Sequence, residues 1–305
     1  MIIYYHPRYN FNLGILSYLH LFDGNKFRKV YEEISSINGI EIRSVDKAIS
    51  QEIIDGFVGD LMRRLLPNKR YVLQALEVPY IPLLPFSLIE SRVLEPMKWG
   101  VSGTLEASKQ SLTGKNTWNL SGGYHHASKS TAEGFCIYND IGIAIDQLIS
   151  QGKIINTDHI LIIDIDAHHG NGNAHIFMEN KNITILDIYN NDVYPKSDYT
   201  KERVDINIPL KANTTGEEYL SKLKSGLNCL DSKHKLAFVI AGTDVIKSDP
   251  LGGLGLSVEE SVVRDKLVLE RLRELSIPAV FLGGGGYGKD SAFAIAKSIS
   301  GHYEL

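Results

Sequence analysis

Apolar residues follow two alternating patterns along this chain of 305 residues. Short runs of consecutive apolar residues predict buried strands, whereas apolar residues that recur every three or four positions predict helices with one buried face. Strand patterns lie at residues 2–5, 116–121, 159–164, 183–188, 204–208, 236–241 and 278–282. Strands that alternate with helices at this spacing favour right-handed crossovers and a mainly parallel sheet with helices on both faces. The predicted fold class is therefore α/β, in three α/β/α layers.

Helix boundaries are predicted from capping residues and prolines. Helical patterns follow four good N-cap residues, which are Ser50, Asn139, Thr215 and Ser257. The helix after Ser50 is expected to run to residue 65, and a helix from residue 87 is expected to be interrupted at Pro96. Further helices are expected over residues 24–36 and from about residue 289. Residues 77–86 contain three prolines, which predicts an irregular loop.

The strand at residues 159–164 carries the strongest chemical signal. Its apolar run ends in Asp164, and Asp166 and His168 follow at spacings of two, so an extended chain places all three side chains on one side. Unpaired carboxylates in such surroundings cost several kcal/mol each, so a cation is expected beside them. Carboxylate oxygens with one imidazole suit zinc or another first-row metal better than calcium. The sequence therefore predicts a metal site here.

Three other predicted strands also end in reactive residues. These are the histidine pair at 125–126, Asp244, and a run of four glycines that leads to Tyr287. Ligands bind at the carboxyl ends of the strands in an open parallel sheet, so we expect the four strand ends to form one site. Asp166, His168 and Asp244 would then supply three metal ligands and leave coordination positions open, which is the catalytic arrangement.

Such a centre predicts hydrolysis of an amide bond near neutral pH. His125 and His126 would transfer protons from the attacking water and to the departing amine. Tyr287 would donate a hydrogen bond to the oxyanion of the tetrahedral intermediate. Asp164 would either orient His125 or help to bind a second cation.

Composition and charge limit the other function classes. The formal net charge of −4 and the pI near 6.2 do not indicate a basic surface that would bind nucleic acid. Two cysteines are too few for a disulfide framework, which favours a reducing cytoplasmic location. The chain has no signal-peptide pattern and no run of eighteen apolar residues, so no membrane span is expected. We expect residues 1–305 to form a single domain, and the sequence leaves the oligomeric state open.

Five motifs occur in order along the chain: GGYHHA at 122–127, EGFCIYND at 133–140, DIDAHHGNG at 164–172, AGTD at 241–244 and GGGGY at 283–287. Together they resemble the signature of the histone deacetylase family. The opening YYHPRYN and the segments HLFDGNKFRKV, EVPYIPLLP, LDIYNNDVYP and DPLGGLGLS look most like the class IV branch. Five ordered motifs over the whole length are far more specific than any one of them alone.

This resemblance implies an arginase-deacetylase type of α/β/α fold and zinc-dependent removal of acyl groups from the N6 amine of lysine. His126 resembles the general base and acid, and His125 resembles its electrostatic companion, held in place by Asp164. Tyr287 resembles the oxyanion donor. The zinc ligands correspond by motif to Asp166, His168 and Asp244.

The resemblance also implies a substrate site and a second cation. Phe135 and Tyr194 are similar to the aromatic walls of an acyl-lysine tunnel, and Gly134 and Gly285 occupy substrate-binding positions. A potassium ion often lies in this family at positions that match Asp164, Asp166 and His168. The implied substrate is an acyl-lysine protein or peptide, or a small acyl-amine such as an acetylated polyamine. The class IV branch tends toward long fatty-acyl groups, as in a defatty-acylase, but the sequence leaves the acyl length open.

One residue departs from the family pattern. Asn171 stands where many class I and class II members have an aspartate paired with the general-base histidine. A neutral amide stabilises an imidazolium less than a carboxylate does, so the pKa of His126 is expected to be lower than in those members. Activity is therefore expected to persist to lower pH.

Three alternatives compete with this interpretation. GGGGYGK at 283–289 fits a phosphate-binding loop, but Asp290 replaces the hydroxyl residue that should reach magnesium, and the order of the NTPase motifs is reversed. A catalytically silent acyl-lysine binding protein would share the fold, although every expected ligand, histidine and tyrosine is present. Arginase-like hydrolysis would need a second acid-rich strand to hold two manganese ions, and the sequence offers none.

Overall fold

A parallel β-sheet lies at the centre of the computed structural model, which describes residues 1–12, 14 and 21–303. Its strands are β1 (Ile2–Tyr4), β2 (Glu41–Arg43), β3 (Thr117–Asn119), β4 (His159–Asp164), β5 (Ile183–Asn190), β6 (Ile206–Leu210), β7 (His234–Ile240) and β8 (Ala279–Leu282). In the described residues these eight strands pair in the order β2-β1-β3-β8-β7-β4-β5-β6, and every neighbouring pair is parallel. The predicted α/β class and parallel sheet are confirmed.

Helices cover the sheet in two groups. They are α1 (Lys26–Ile34), α2 (Gln51–Phe57), α3 (Asp60–Leu65), α4 (Lys69–Ala75), α5 (Phe86–Ile89), α6 (Glu95–Ser111), α7 (Asp140–Ser150), α8 (Asn171–Ile176), α9 (Asp198–Lys201), α10 (Gly216–Asn228), α11 (Val258–Glu274) and α12 (Ser291–Tyr303). Helices α10, α11, α12 and α1 pack against one another in succession, while α6 packs with α7, and α7 with α2. The result is the three-layer α/β/α arrangement. No helix among the described residues is long and apolar enough to cross a bilayer.

Strand β4 lies in the buried centre of the sheet. Residues 160–163 are at most 1 % exposed, and β4 pairs with β7 on one side and β5 on the other. Burial of each of these side chains contributes roughly 1.5–3 kcal/mol, which fixes the strand firmly. The register places Asp164 at the carboxyl end, beside Ile240 of β7 and Asp187 of β5.

Hydrogen bonds confirm the predicted N-caps at Ser50, Asn139 and Ser257. Ser50 Oγ accepts from the Ile53 amide, and Asn139 Oδ1 accepts from the Gly142 amide at 2.7 Å. Ser257 forms the complete capping box before α11. Such caps stabilise a helix by about 1 kcal/mol. The Asn139 cap matters for the site, because it anchors the end of the long loop between β3 and α7.

Two helix predictions were wrong in detail. The single helix expected up to residue 65 is two helices, because Gly59 has an extended backbone and its amide donates to the Lys129 carbonyl at 2.9 Å. The interruption expected at Pro96 lies earlier, in a π-helical turn at Glu90–Leu94. Pro96 falls in the first turn of α6, where a missing amide hydrogen is tolerated. Strand β2 and helices α4 and α9 were not predicted.

Candidate active site

The carboxyl ends of β3, β8, β7 and β4 meet at one edge of the sheet, where these strands are neighbours. The Gly285 amide donates to Asp166 Oδ2 at 2.8 Å, which joins the segments that follow β8 and β4. The Ala167 amide donates to Asp244 Oδ1 at 2.9 Å, which joins the segments that follow β4 and β7. After β3, the Gly123 backbone packs directly on Gly284. The structure thus brings the four predicted strand ends together.

Asp166, His168 and Asp244 form a buried cluster of potential metal ligands. His168 Nδ1 lies 3.1 Å from Asp166 Oδ1 and 2.9 Å from Asp244 Oδ2. One donor atom from each residue lies within 4.8 Å of the other two. Ligands about 2.0–2.1 Å from a tetrahedral zinc ion are roughly 3.3 Å apart, so both the spacing and the oxygen and nitrogen donors fit zinc. Three protein ligands leave a fourth position open.

The electrostatics of this cluster favour a cation between the carboxylates. Burial and the nearby charge of Asp166 raise the pKa of Asp244 to about 6. Burial opposes the charged form of His168, but hydrogen bonds with the two carboxylates hold the pKa of His168 well above its usual range. The two acids therefore draw positive charge strongly into the gap between them, and a divalent cation would satisfy both.

His125 is held by a carboxylate on the strand side of the site. Its Nδ1 lies 2.7 Å from Asp164 Oδ2, and both side chains are buried. Burial disfavours the charged ring, but the Asp164 and Asp166 carboxylates outweigh burial and raise the pKa of His125 to about 9. The two carboxylates therefore favour the protonated form of the ring. Of the two roles considered for Asp164, the structure provides the contact needed to orient His125.

His126 has a neutral partner instead of a carboxylate. Its Nδ1 lies 2.7 Å from Asn171 Oδ1, and Asn171 Nδ2 in turn donates to Glu133 Oε1 at 2.6 Å. Burial, followed by the positive charges of His125 and His168, holds the pKa of His126 well below its usual range. The ring is therefore neutral at neutral pH, which is the protonation state that a general base requires.

Two charged side chains hold the loop that carries Tyr287. Lys26, buried in α1, donates through Nζ to the carbonyl oxygens of Gly284 and Gly285 at 3.0 and 3.1 Å. Asp249 accepts a hydrogen bond from the Tyr287 amide at 2.7 Å. Burial, together with nearby carboxylates, raises the pKa of Tyr287 well above its usual value, so its hydroxyl remains a hydrogen-bond donor.

An apolar cavity of about 890 Å³, including its open mouth, adjoins these residues. Phe135 and Tyr287 both line it, and their ring centroids lie 5.5 Å apart. The Tyr194 ring is 39 % exposed, and its centroid lies 5.2 Å from that of His126. Of the two aromatic residues expected at the substrate site, Phe135 lines the cavity beside Tyr287, whereas Tyr194 lies beside His126 and is not among the lining residues.

The two glycines expected at the substrate site lie at close backbone approaches. Gly134 has φ +55°, and a Cβ there would come within 2.4 Å of His126 Cδ2. A Cβ at Gly285 would come within 2.3 Å of Asp244 Oδ2. Both contacts are too short for any side chain, so these glycines allow the loops to pack against the histidine and the ligand cluster.

Sequence reasoning missed three residues of this site. Lys26 and Glu133 lie in the family-like segments HLFDGNKFRKV and EGFCIYND, but the sequence did not assign a site role to either residue. Asp187 interrupts the apolar run of β5, which is the same signal that identified Asp164. Asp187 Oδ2 contacts His169 Nδ1 at 2.6 Å and accepts from the Gly170 amide at 3.0 Å. Its other carboxylate oxygen is buried and has no hydrogen-bond partner among the described residues.

A parallel α/β/α fold with a buried Asp-His-Asp cluster that could hold a metal at the strand ends, flanked by two histidines and a tyrosine, fits a hydrolase. Residues 72–302 match the family described as the Histone deacetylase domain. Histone deacetylase 2 of Arabidopsis thaliana is 33 % identical over 303 residues, which cover 97 % of this chain and 77 % of that protein. The chain belongs to the histone deacetylase family.

Two solved structures extend the likeness to the fold. A histone deacetylase homologue from Aquifex aeolicus aligns with a TM-score of 0.72 at 22 % identity, covering 91 % of this chain and 76 % of that one. Acetylpolyamine aminohydrolase from Burkholderia pseudomallei aligns with a TM-score of 0.72 at 16 % identity, covering 99 % and 98 % of the two chains. Family membership removes the phosphate-binding NTPase alternative.

Proposed function

We propose that this protein is a zinc-dependent hydrolase that removes acyl groups from the N6 amine of lysine. One observation carries the proposal. His125, a neutral His126 and a protonated Tyr287 line one apolar cavity, and the three-ligand cluster lies beside it, where Asp166 accepts a hydrogen bond from the amide of the lining residue Gly285. These are the groups that amide hydrolysis needs: a base for water, an acid for the amine, and a donor for the oxyanion.

Zinc is the cofactor that we propose for this cluster. Asp166, His168 and Asp244 would hold it, since their donor atoms, spacing and burial suit a three-ligand zinc site. When bound, zinc supplies Lewis-acid polarisation of a carbonyl oxygen and activation of water.

The proposed chemistry assigns a proton to each of three side chains. His126 Nε2 takes a proton from the attacking water and later delivers it to the departing lysine amine. His125 keeps its proton on a ring held by Asp164, and its charge offsets the negative charge that develops on the substrate. Tyr287 donates its hydroxyl hydrogen to the former carbonyl oxygen, from a loop fixed by Lys26 and Asp249.

The lining of the cavity supports an aliphatic acyl group as the substrate moiety. Most of its lining residues are apolar or aromatic, as in typical small-molecule sites. Among the described residues, the lining contains no carboxylate that would bind a polyamine, and one wall consists of Leu73, Leu76, Val78, Ile89, Val93 and Met97. The apolar wall favours acyl chains longer than acetyl. The lack of a lining carboxylate disfavours an acetylated polyamine as the substrate.

A potassium ion beside β4 is a second cofactor that we propose. Asp164, Asp166 and His168 match the sequence positions at which such an ion is expected. Asp187 pairs with Asp164 across β4 and β5, and its buried, unpartnered oxygen is the kind of atom that a structural cation satisfies. This oxygen supports the proposal independently of the motif.

Residues 1–305 are proposed to act as one catalytic domain. The family match begins at residue 72, but β1 and β2 belong to the same sheet, and Lys26 reaches the loop of Tyr287. The N-terminal segment therefore contributes directly to the site. The cytoplasmic location and the class IV assignment stay predictions from the sequence.

The test measures kcat/KM of the zinc-loaded protein on matched lysine peptides that carry acetyl, octanoyl or myristoyl groups. An acetylated polyamine and the Tyr287→Phe variant are assayed in parallel. We expect turnover of the peptides, with higher kcat/KM for the longer chains, and a large loss in the variant. Faster turnover of the polyamine would favour the small acyl-amine alternative. Binding of every peptide without turnover would identify a non-catalytic acyl-lysine binding protein.

A further inference from the structure

Glu133 lies at the start of the tight loop that places Gly134 against His126. Its backbone forms a two-way bridge with Cys136, with N–H to carbonyl distances of 3.1 and 2.9 Å. Its carboxylate is partly buried and accepts from Asn171 Nδ2 at 2.6 Å. Burial and this same carboxylate raise the pKa of Tyr194 above its usual value. Glu133 therefore connects the rim of the cavity to the partner of His126.

The hydrogen bond from Asn171 to Glu133 fixes which way the amide faces. A carboxylate only accepts hydrogen bonds, so the amide nitrogen must face Glu133 and the amide oxygen must face His126. His126 Nδ1 lies 2.7 Å from that oxygen and must carry the ring hydrogen. In the neutral ring, Nε2 then holds the lone pair. Without Glu133, the Asn171 amide could face His126 in either of two orientations. Its oxygen would accept from the tautomer with hydrogen on Nδ1, whereas its nitrogen would donate to the tautomer with hydrogen on Nε2.

We propose that Glu133 is a positioning residue, which acts through Asn171 to hold His126 in the tautomer with a free Nε2. This inference rests on the proposed function, because a free Nε2 matters for hydrolysis of the acyl-lysine amide. The relay of carboxylate, amide and imidazole takes the place of a direct carboxylate partner. It also explains why a neutral Asn171 is compatible with a base at His126.

The first test reads the tautomer of His126 without any enzyme assay. The full chain is labelled with ¹⁵N-histidine, and the His126 signals are identified by their absence in His126→Ala. We expect the wild type to show the Nδ1–H tautomer and Glu133→Ala to show a mixture of both tautomers. The amide of Glu133→Gln can either accept from Asn171 or donate to it, so we expect this variant to show a mixture as well. An unchanged tautomer in Glu133→Ala would overturn the proposal.

The second test asks whether Glu133 acts through Asn171. With an acyl-lysine peptide, Glu133→Ala should lower kcat by about tenfold with little change in KM, because a partner that sets a tautomer affects the chemical step. In an Asn171→Ala background, the same substitution should change kcat less than about twofold. An equal loss in both backgrounds would overturn the proposal.

A matched control separates this effect from a general loss of charge or stability. Glu179, an exposed residue in the turn between α8 and β5, is replaced by Ala and should leave kcat and thermal stability unchanged. If even the wild type turns over no peptide, the proposed function fails, while the tautomer measurement still decides the role of Glu133.

Discussion

Moving the carboxylate from position 133 to position 171 should shift the pH profile of the enzyme toward higher pH. The single change Asn171→Asp would place two carboxylates at the 2.6 Å contact that now joins Asn171 and Glu133. The double variant Asn171→Asp with Glu133→Gln avoids this repulsion, because the new amide donates to the new carboxylate. The swap also keeps the net charge of the chain at −4.

The size of the shift follows from the geometry at His126. The new carboxylate would contact Nδ1 at the 2.7 Å position of the present amide oxygen. Charges roughly 4 Å apart interact by about 4 kcal/mol at an effective dielectric constant of about 20, which sets an upper limit near 3 pKa units. Burial of the carboxylate and loss of the Glu133 charge reduce this value. We expect the pKa of His126 to rise by about 1–2 units.

The sign of the effect follows from the protonation state that catalysis needs. Burial and the neighbouring charge of His125 keep the pKa of His126 well below its usual range, so the wild-type base remains free in weak acid. A higher pKa protonates the base earlier as the pH falls, so the variant should lose activity at a pH where the wild type still works. The acid limb of kcat/KM should therefore move to higher pH by about 1–2 units.

The assay measures kcat/KM on one acyl-lysine peptide between about pH 5 and pH 9, with bound zinc quantified at each pH. Equal zinc content in the two proteins excludes metal loss as the cause of a difference. Coincident acid limbs in a folded, zinc-loaded variant would refute the electrostatic reasoning. A shift toward lower pH would refute its sign.

Three further predictions follow from the contacts around the cavity. Tyr287→Phe should lower kcat by about 10²–10³ with an unchanged melting temperature, because only a donor to the oxyanion is lost; wild-type turnover would exclude that role. Lys26→Met leaves two buried carbonyl contacts unmade, so denaturant titration should show a loss of about 1–3 kcal/mol in the free energy of unfolding. Zinc at about 100 times its Kd should stabilise the wild type by about 2.7 kcal/mol in thermal unfolding, and Asp244→Asn should respond much less.

The sequence predicted the elements whose residues carry a local signal. Strand β4 is a continuous apolar run, so both the strand and the acids at its end were visible. Strand β2 was missed because its three residues, Glu41–Arg43, are partly exposed and show no apolar run. The break before α3 was missed because it depends on the Gly59 amide meeting the Lys129 carbonyl, 70 residues along the chain.

The same distinction applies to the candidate site. Asp166, His168 and Asp244 follow strands directly, so the topology alone brings them together. Lys26 meets Gly284 across 258 positions of sequence, and Glu133 meets Asn171 across 38. No local pattern encodes these contacts, since one joins helix α1 to the loop after β8 and the other joins the loop before α7 to helix α8. The ligands were therefore predictable, whereas the residues that position them were not.

Two buried cations of the site, Lys26 and Arg264, contact backbone carbonyls, and this leaves the ligand carboxylates available. Lys26 donates to the glycine loop that carries Tyr287. Arg264 donates to the carbonyl oxygens of Ile165 and Gly242, one and two residues before the two ligand acids, at 2.8 and 2.6 Å. A cation paired directly with those acids would compete with a metal for the same oxygens. Because the two cations contact backbone carbonyls and not the ligand carboxylates, they lower the free-energy cost of burying the acids and fix the segments that carry them. The gap between the carboxylates is left for a divalent ion.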